Sequence, residues 1–505
     1  MTAPADYSAP ACAATSSTAS TRADRRIVLN TGALATSSLW RIGISFVLQL
    51  VIARLLGAQG LGQYATALAW LNVCQILSEL GLPQLLVRDL ARHPERRPNA
   101  FQTALVAQIA AAFLIWAGVF GLTALLPYQP DTRLALLLIT ASLPLFAITS
   151  VCEMLFQASE RMELVMGVEV AINTLIVAAS LVMLWQGGGV IGLCVVIIAT
   201  QAVSAALCLW LVRQSRLLGT GEGRSIRNLI GGVADLWSQA RPFYGLALAN
   251  VLLHRLDILL LSVFAGDVVT GIYSAAYLIV RVLIILAQTW WQSLYPTFSR
   301  LRVQAEDQYR RLAALSIRFG LLAFLPAAAL SGEAANWLLG IVYRGEDHAA
   351  ALTAYGVLIW AAPLFLVATY AVNLLLVEKQ PRGSLLIAGT HIGVALSLLP
   401  VLTSRWQAWG AALAMVAAIS ASALIGLLLL RRMAVPAGLP RRLPLLLLAT
   451  LAASLCQTWL ARILPWPTFW PGPLLASALL YIGVVWRGGA LSGADVSLFR
   501  NALRR

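Results

Sequence analysis

Lysine is almost absent from this chain, since Lys379 is the single one among 36 basic residues. A phosphate-cradling loop of the NTPase kind needs a lysine after a glycine-rich turn. Lys379 stands in LLVEKQP, so the chain carries no NTPase of its own. Charge of either sign is scarce as well: 11% of the 505 residues are charged and 60% are hydrophobic. Soluble domains are closer to a quarter charged, so only a polytopic membrane protein fits. The six cysteines (12, 74, 152, 194, 208 and 456) lie in the amino-terminal tail or in apolar segments without paired spacing. They imply neither a disulfide framework nor a metal site. The first 25 residues have no apolar core of the kind a signal peptide needs, and residues 1–26 read as a disordered cytoplasmic tail. In a soluble protein the net charge of +15 would point to nucleic acid. Here it follows from where the arginines sit, and no nucleic-acid partner is expected.

What is present is a series of apolar runs broken at charged or Pro/Gly clusters. They give fourteen expected spans, near 30–56, 62–87, 100–126, 132–156, 165–186, 189–212, 242–265, 269–296, 316–341, 351–377, 383–403, 407–430, 443–464 and 470–486. Placing both termini in the cytoplasm puts nearly all basic residues on inner segments. Only Arg133, Arg344, Arg405 and Arg462 fall outside, while Arg41, Arg54, Arg255 and Arg281 fall within helices. That agrees with the positive-inside rule, and a miscount by one span would scramble it. The expected organisation is an amino-terminal six-helix lobe (27–213), a cytoplasmic amphipathic linker (214–240), a carboxy-terminal six-helix lobe (241–432), two extra helices (433–487) and a cytoplasmic tail (488–505). Within the linker, apolar residues at 226, 229, 230, 233, 236 and 237 mark an amphipathic helix whose arginines suit an anionic leaflet.

A repeat fixes the architecture. The first hairpin turns at Gly57-Ala-Gln-Gly-Leu-Gly62-Gln-Tyr64-Ala-Thr-Ala, and the seventh-to-eighth at Gly266-Asp-Val-Val-Thr-Gly271-Ile-Tyr273-Ser-Ala-Ala. Both read G-x4-G-x-Y-x-x-A, 209 residues apart. Six helices separate the copies, so both have one orientation in the membrane. This predicts an all-α integral membrane protein with two six-helix lobes related by a parallel repeat, about an axis along the membrane normal.

The polar residues of these two hairpins fall on helical stripes. Ser38, Arg41, Ser45 and Gln49 share one face of the first span; Asn72, Gln75 and Glu79 share one of the second. Asn250, His254 and Asp257 do so in the seventh, with Arg255 a quarter-turn away, and Ser274, Arg281, Gln288 and Gln292 in the eighth. A charge at mid-membrane costs roughly 2.5–3.5 kcal/mol on insertion scales, so such residues face a bundle interior or a wet cavity. Arg41, Arg255 and Arg281 outnumber Asp257 there, which makes a cationic cavity suited to an anionic ligand; Arg forks match phosphate oxygens. Ser45, Gln49, Gln75, Asn250 and Gln288 are its expected polar lining. Asp257, Glu79 and His254 are candidates for coupling to H+ or Na+, and no other cofactor is expected. The competing reading is a buried Arg255–Asp257 pair that only fixes packing. For His254 it is a simple hydrogen bond to Asp257, and for Arg54 it is snorkelling to the interface. Pro83, Pro144, Pro326 and Pro363 interrupt helices and are expected bending points.

Three stretches carry a resemblance: VLNTGALATSSLWRIGISFVLQLVIARLLGAQGLGQYATAL, GLPQLLVRDLAR, and HRLDILLLSVFAGDVVTGIYSAAYLIVRVL. They resemble the Wzx-like oligosaccharide flippases, in the superfamily of the MATE drug exporters and the lipid II flippase. NLLLVEKQPRGS is similar to that family's tenth-to-eleventh turn. The resemblance covers roughly residues 27–430. It implies translocation of undecaprenyl-diphosphate-linked glycans across the bacterial inner membrane by alternating access, for O-antigen, capsule or exopolysaccharide synthesis. Membrane lipids and other polysaccharide assembly proteins would be its partners. By position, Arg41 and Arg281 match the family's luminal cations, and Arg255 with Asp257 its R-x-D in the seventh helix. A cation-coupled multidrug exporter would want a cavity of the opposite sign. A polymerase or ligase would need catalytic groups in larger outer loops, which offer little beyond Asp131, Arg133, Glu346, Asp347 and His348, so no enzyme is expected.

Overall fold

The computed structural model describes residues 15–93, 95, 97–215, 217, 226–433, 443–463 and 471–487, and the described residues contain helices and no strand. Their helices are α1 (Thr15–Glu79), α2 (Leu82–Arg92), α3 (Arg97–Leu125), α4 (Pro130–Thr140), α5 (Leu143–Ala158), α6 (Met162–Trp185), α7 (Gly189–Gln214) and α8 (Ile226–Phe264). There follow α9 (Gly266–Gln304), α10 (Glu306–Leu330), α11 (Gly332–Val342), α12 (Glu346–Leu358), α13 (Ala361–Val377), α14 (Pro381–Arg432), α15 (Leu443–Ile463) and α16 (Pro471–Arg487).

Among the described residues, ten helical stretches are long and apolar enough to cross a membrane. Two of them hold two crossings each. At 1.5 Å per residue the 65 residues of α1 would reach about 97 Å, three times a hydrocarbon core. The run is broken at Gly57, whose φ of 68° and ψ of −168° only glycine adopts without strain. In α14 the break is at Trp406 and Gln407, where the chain folds back so far that a Cβ on Gly410 would strike the carbonyl of Leu402. With the shorter apolar helices Pro444–Leu460 and Gly472–Arg487, the expected fourteen spans are all present.

The parallel repeat is written into the backbone. Gly57 and Gly266, 209 residues apart, both have positive φ (68° and 76°) at the hairpin tips. Further along, Pro144 and Pro363 lie 219 residues apart, each beginning the second half of a broken span. Each of those halves ends in the same turn. Glu160 and Lys379 are left-handed (φ 56° and 58°), and the amides of Arg161 and Gln380 reach back five residues to Phe156 and Leu375 at 3.0 and 2.8 Å.

Three apolar cores hold the lobes. One is shared, running from Leu48, Leu61 and Leu136 in the first lobe to Leu261, Tyr273 and Leu358 in the second. It occupies the arginine-poor half of the molecule, which the sequence places outside. In the arginine-rich half the core divides. Leu82, Phe101, Phe156 and Val212 form one part, and Trp291, Phe298, Ile317 and Tyr370 the other. The lobes thus share one core at one face and have separate cores at the other, where they still meet as α8 passes Gly81, a Cβ on which would strike the backbone of Tyr244 and Ala240.

Two boundaries differ from expectation. Helix α1 already runs from Thr15, so the boundary at 26 falls inside a helix, and residues 1–14 and 488–505 lie outside the described residues. Among the described residues the linker forms no separate helix: from Ile226 it is continuous with the seventh span in α8, and 216 and 218–225 lie outside the described residues. Its span-proximal end packs on the first lobe, with Ala240 and Phe243 in that lobe's arginine-side core and Arg88 5.8 Å over the Phe243 ring.

Helices α15 and α16 brace α10. Pro326 interrupts α10, and proline has no amide to give the carbonyl of Leu322 four residues before it. The Tyr481 hydroxyl donates to that carbonyl at 3.0 Å. Gln457, 3% exposed, donates to the carbonyl of Leu330 at the helix end, also at 3.0 Å. Both groups would otherwise stand unpaired in hydrocarbon.

Candidate central cavity

The two repeat hairpins supply α1, α8 and α9, which meet along the boundary between the lobes. The polar stripes of these helices lie near the region where the core divides. Ser45, Gln49, Gln75, Arg255 and Arg281 are half-buried and Asn250 is exposed. None of these six side chains has a hydrogen-bond or ion-pair partner among the described residues. Arg41 lies on α1 as expected, and its side chain lies outside the described residues.

Asp257 is bound differently from either expectation. It is 2% exposed, and its carboxylate accepts the Tyr273 hydroxyl and the Ile258 amide, each at 2.8 Å. Among the described residues no ion pair joins it to Arg255 or Arg281. The reason is helical geometry: residues two apart on a helix point to nearly opposite sides. Asp257 faces α9, where Tyr273 waits and stacks on Tyr277 with centroids 6.0 Å apart. Arg255 lies within electrostatic reach of Arg281 and also of Asp257, though no ion pair forms with either carboxylate oxygen. Tyr273 is the site residue that sequence reasoning missed, although it is the tyrosine of the G-x4-G-x-Y motif.

His254 does not bond Asp257 either. Its Nδ1 lies 2.9 Å from the Asn250 carbonyl and its Nε2 3.0 Å from the Gln288 amide nitrogen. A carbonyl can only accept, so Nδ1 carries the proton and Nε2 accepts from Gln288. Both ring nitrogens are occupied, and the histidine ties α8 to α9. Glu79 is half-buried near the arginine-rich end of the second span. Its own backbone carbonyl accepts Gln108 at 3.2 Å, and Asn72 bonds back to Leu68 of its own helix. At the repeat offset Arg41 corresponds to Asn250, Asn72 to Arg281 and Glu79 to Gln288, so the arginines of the first and eighth spans each stand opposite an asparagine of the other lobe's copy.

Arg54 does not simply snorkel. Its guanidinium donates to the Ile341 carbonyl of α11 at 3.0 Å, across the lobe boundary. Near it Thr132 donates to Asp267 at 2.6 Å, and the hydroxyls of Tyr128 and Ser262 lie 2.9 Å apart. All three contacts join the lobes on the arginine-poor side. Among the described residues there is no His/Cys/Asp/Glu group arranged to hold a metal ion.

Comparison with known proteins places this architecture. The family described as polysaccharide biosynthesis protein matches residues 27–302. Among solved structures, the lipid II flippase MurJ in an inward closed conformation aligns with a TM-score of 0.66 at 12% identity, over 95% of this chain and 100% of that one. An inward-facing multidrug resistance MATE family transporter of the MOP superfamily aligns at 0.63 and 12%, over 79% and 95%. A MOP superfamily transporter from Pyrococcus furiosus gives 0.53 and 12%, over 81% and 96%. At such identities the likeness carries the fold. No curated protein matches.

Proposed function

The chain belongs to the polysaccharide biosynthesis protein family, and from that premise we propose that it is a flippase for a polyprenyl-diphosphate-linked oligosaccharide, working in the bacterial inner membrane with both termini cytoplasmic. The observation that carries the reading is the pair Arg255 and Arg281. Both are partly buried in the middle of membrane spans, and neither forms an ion pair with a carboxylate among the described residues. Retaining such cations against the cost of insertion is explained by an anionic ligand that completes them, and a diphosphate presents the oxygens that guanidinium forks match. The undivided core on one face and the divided core on the other suit alternating access, with the cleft loading from the arginine-rich side. No part of this needs a covalent step, and the protein acts as a transporter. For coupling to H+ or Na+, the geometry favours Glu79 over Asp257 and His254, whose polar atoms are already engaged by Tyr273, Asn250 and Gln288.

The test is mass spectrometry of lipids that co-purify with the wild type and with an Arg255→Ala/Arg281→Ala variant. A polyprenyl-diphosphate glycan bound to the first and depleted from the second is the expected result, and it would identify the sugar. Retention of a soluble amphiphile in place of any such lipid would favour multidrug export. A covalent change in added lipid-linked sugar would favour a polymerase or ligase.

A further inference from the structure

The second lobe carries a polar layer between two apolar cores, and two of the chain's four histidines lie in it. On α14, Ile387 belongs to the arginine-side core and Ala395 to the shared one, a turn to either side of His391. On α8, Ile258 of the shared core stands a turn beyond His254. Phe365 of α13 packs against both cores, and its ring meets that of His254 edge-on with centroids 6.4 Å apart. The first lobe has a comparable layer, between Ala147 of the shared core and Val151 of its arginine-side core. That layer is neutral and closed on itself. Gln201 donates to the Thr149 hydroxyl at 3.2 Å, which donates to Ser204 at 3.5 Å. The second layer is not closed. His391 is 8% exposed, and neither of its ring nitrogens has a hydrogen-bond or ion-pair partner among the described residues. Buried polar groups are ordinarily bonded, and a bare one costs more than an apolar group of the same shape. Packing alone would be better served by a leucine.

We propose that His391 is a proton-binding site that fills together with an anion held by Arg255 and Arg281. The inference rests on the anionic-ligand reading above and goes beyond it, and it leaves Glu79 its separate role in the first lobe. An imidazole is the side chain whose charge changes near neutral pH, and the other histidine of the layer already has both nitrogens engaged. The helices packed on α14 are α8, α9, α12 and α13. Helix α8 brings His254 within electrostatic reach of His391, and Arg255, Arg281 and Asp257 lie within reach of His254. Asp257 is turned to Tyr273, and α9 adds only Tyr277 and the neutral Gln288 to Arg281. The acids of α12, Glu346 and Asp347, stand with His348 in its first turn at the arginine-poor end; the acid that follows α13, Glu378, is taken by Arg302. A proton on His391 therefore enters a field dominated by two guanidinium groups. An anion that neutralises them removes the repulsion, so the anion favours the proton and, by reciprocity, the proton favours the anion. Cargo and proton together then carry less net charge through the membrane than the cargo alone.

The experiment uses the full-length chain purified in detergent, with sulfate as the probe because it stays doubly charged across the range used. Binding is measured by titration calorimetry at about pH 5.5 and about pH 8, on either side of the ordinary histidine range. Only the binding that is absent from an Arg255→Ala/Arg281→Ala variant is counted. The wild type should bind about tenfold more tightly at the lower pH, within the usual range of coupling between sites. His391→Gln, which keeps a neutral polar side chain, should match the wild type at the higher pH and bind equally at both. His391→Asn replaces it if His391→Gln does not elute as a single peak. A second readout needs no variant at this position. In weak buffer near about pH 6.5, adding sulfate should draw part of a proton from solution onto each wild-type molecule, which a histidine that only packs cannot do. Equal affinity at both pH values, no proton uptake, or a pH dependence that survives in His391→Gln would overturn the proton site and leave the anion site standing. No binding at Arg255 and Arg281 at either pH would overturn the anionic-ligand reading itself, and this inference with it.

Discussion

Arg255 should be a residue whose removal makes the protein more stable and at the same time useless. Its guanidinium sits at mid-span with no carboxylate partner among the described residues, and the like charge of Arg281 is nearby. Full insertion of an arginine at the bilayer centre costs roughly 2.5–3.5 kcal/mol. Partial exposure returns part of that, so Arg255→Met, which keeps the apolar stem, should stabilise the protein by about 1 kcal/mol in detergent. Ligand binding should move the other way: a lost charge-assisted contact of ~1.5–3 kcal/mol weakens a diphosphate roughly ten- to a hundredfold. The control is Arg302→Met. Arg302 bonds Glu378 at 2.8 Å, with Glu378 11% exposed, so its loss should destabilise. The assay is thermal unfolding of the purified variants with and without the co-purifying lipid. The reasoning is refuted if Arg255→Met unfolds at lower temperature than the wild type. That outcome would mean the arginine is a packing element and the cleft holds no unpaired charge there.

Two further predictions rest on named bonds. Tyr273→Phe leaves a carboxylate that is 2% exposed with the Ile258 amide as its one remaining donor, a loss of ~1.5–3 kcal/mol for a hydrogen bond to a charged group. In the Asp257→Asn background the same change should cost much less, and a double-mutant cycle by thermal unfolding measures the difference; equal costs in both backgrounds would remove Tyr273 as the partner. Tyr481→Phe should destabilise by about 0.6–1.7 kcal/mol, the range measured for hydrogen bonds between membrane helices. Pro326→Leu restores an amide to the Leu322 carbonyl, so in that background Tyr481→Phe should cost less in the same assay, with only its contact to Thr450 still lost.

The fold was legible because two independent signals, apolar length and arginine placement, agree on fourteen spans. The repeat was legible from eleven residues, since glycines at Gly57, Gly62, Gly266 and Gly271 do backbone work that no other residue can do. The cleft was legible in its stripes and not in its bonds. Helical spacing tells which residues share a face of one helix, and so placed Asn250, His254 and Asp257 together. It does not say which neighbouring helix brings a donor to that face. Tyr273 therefore took Asp257, and Gln288 took one nitrogen of His254, where sequence alone suggested the nearer charges. The continuity of α8 through the linker was hidden for a related reason: an amphipathic stretch and an apolar stretch join into one rod without any residue that announces it. Arg54 shows the limit from another side, because the carbonyl it finds belongs to a residue 287 positions away.

The shared core on one face and the divided core on the other have a calorimetric consequence. Unfolding exposes apolar surface and raises the heat capacity in proportion to the area released. Parting the outer hairpins while closing the arginine-side cleft would instead trade one apolar contact for another, the Leu61 and Tyr273 region for surfaces near Leu82 and Trp291. Little net area changes hands in such an exchange. The balance between the two states should therefore vary only weakly with temperature, and a ligand or an ion rather than warmth would be what tips it.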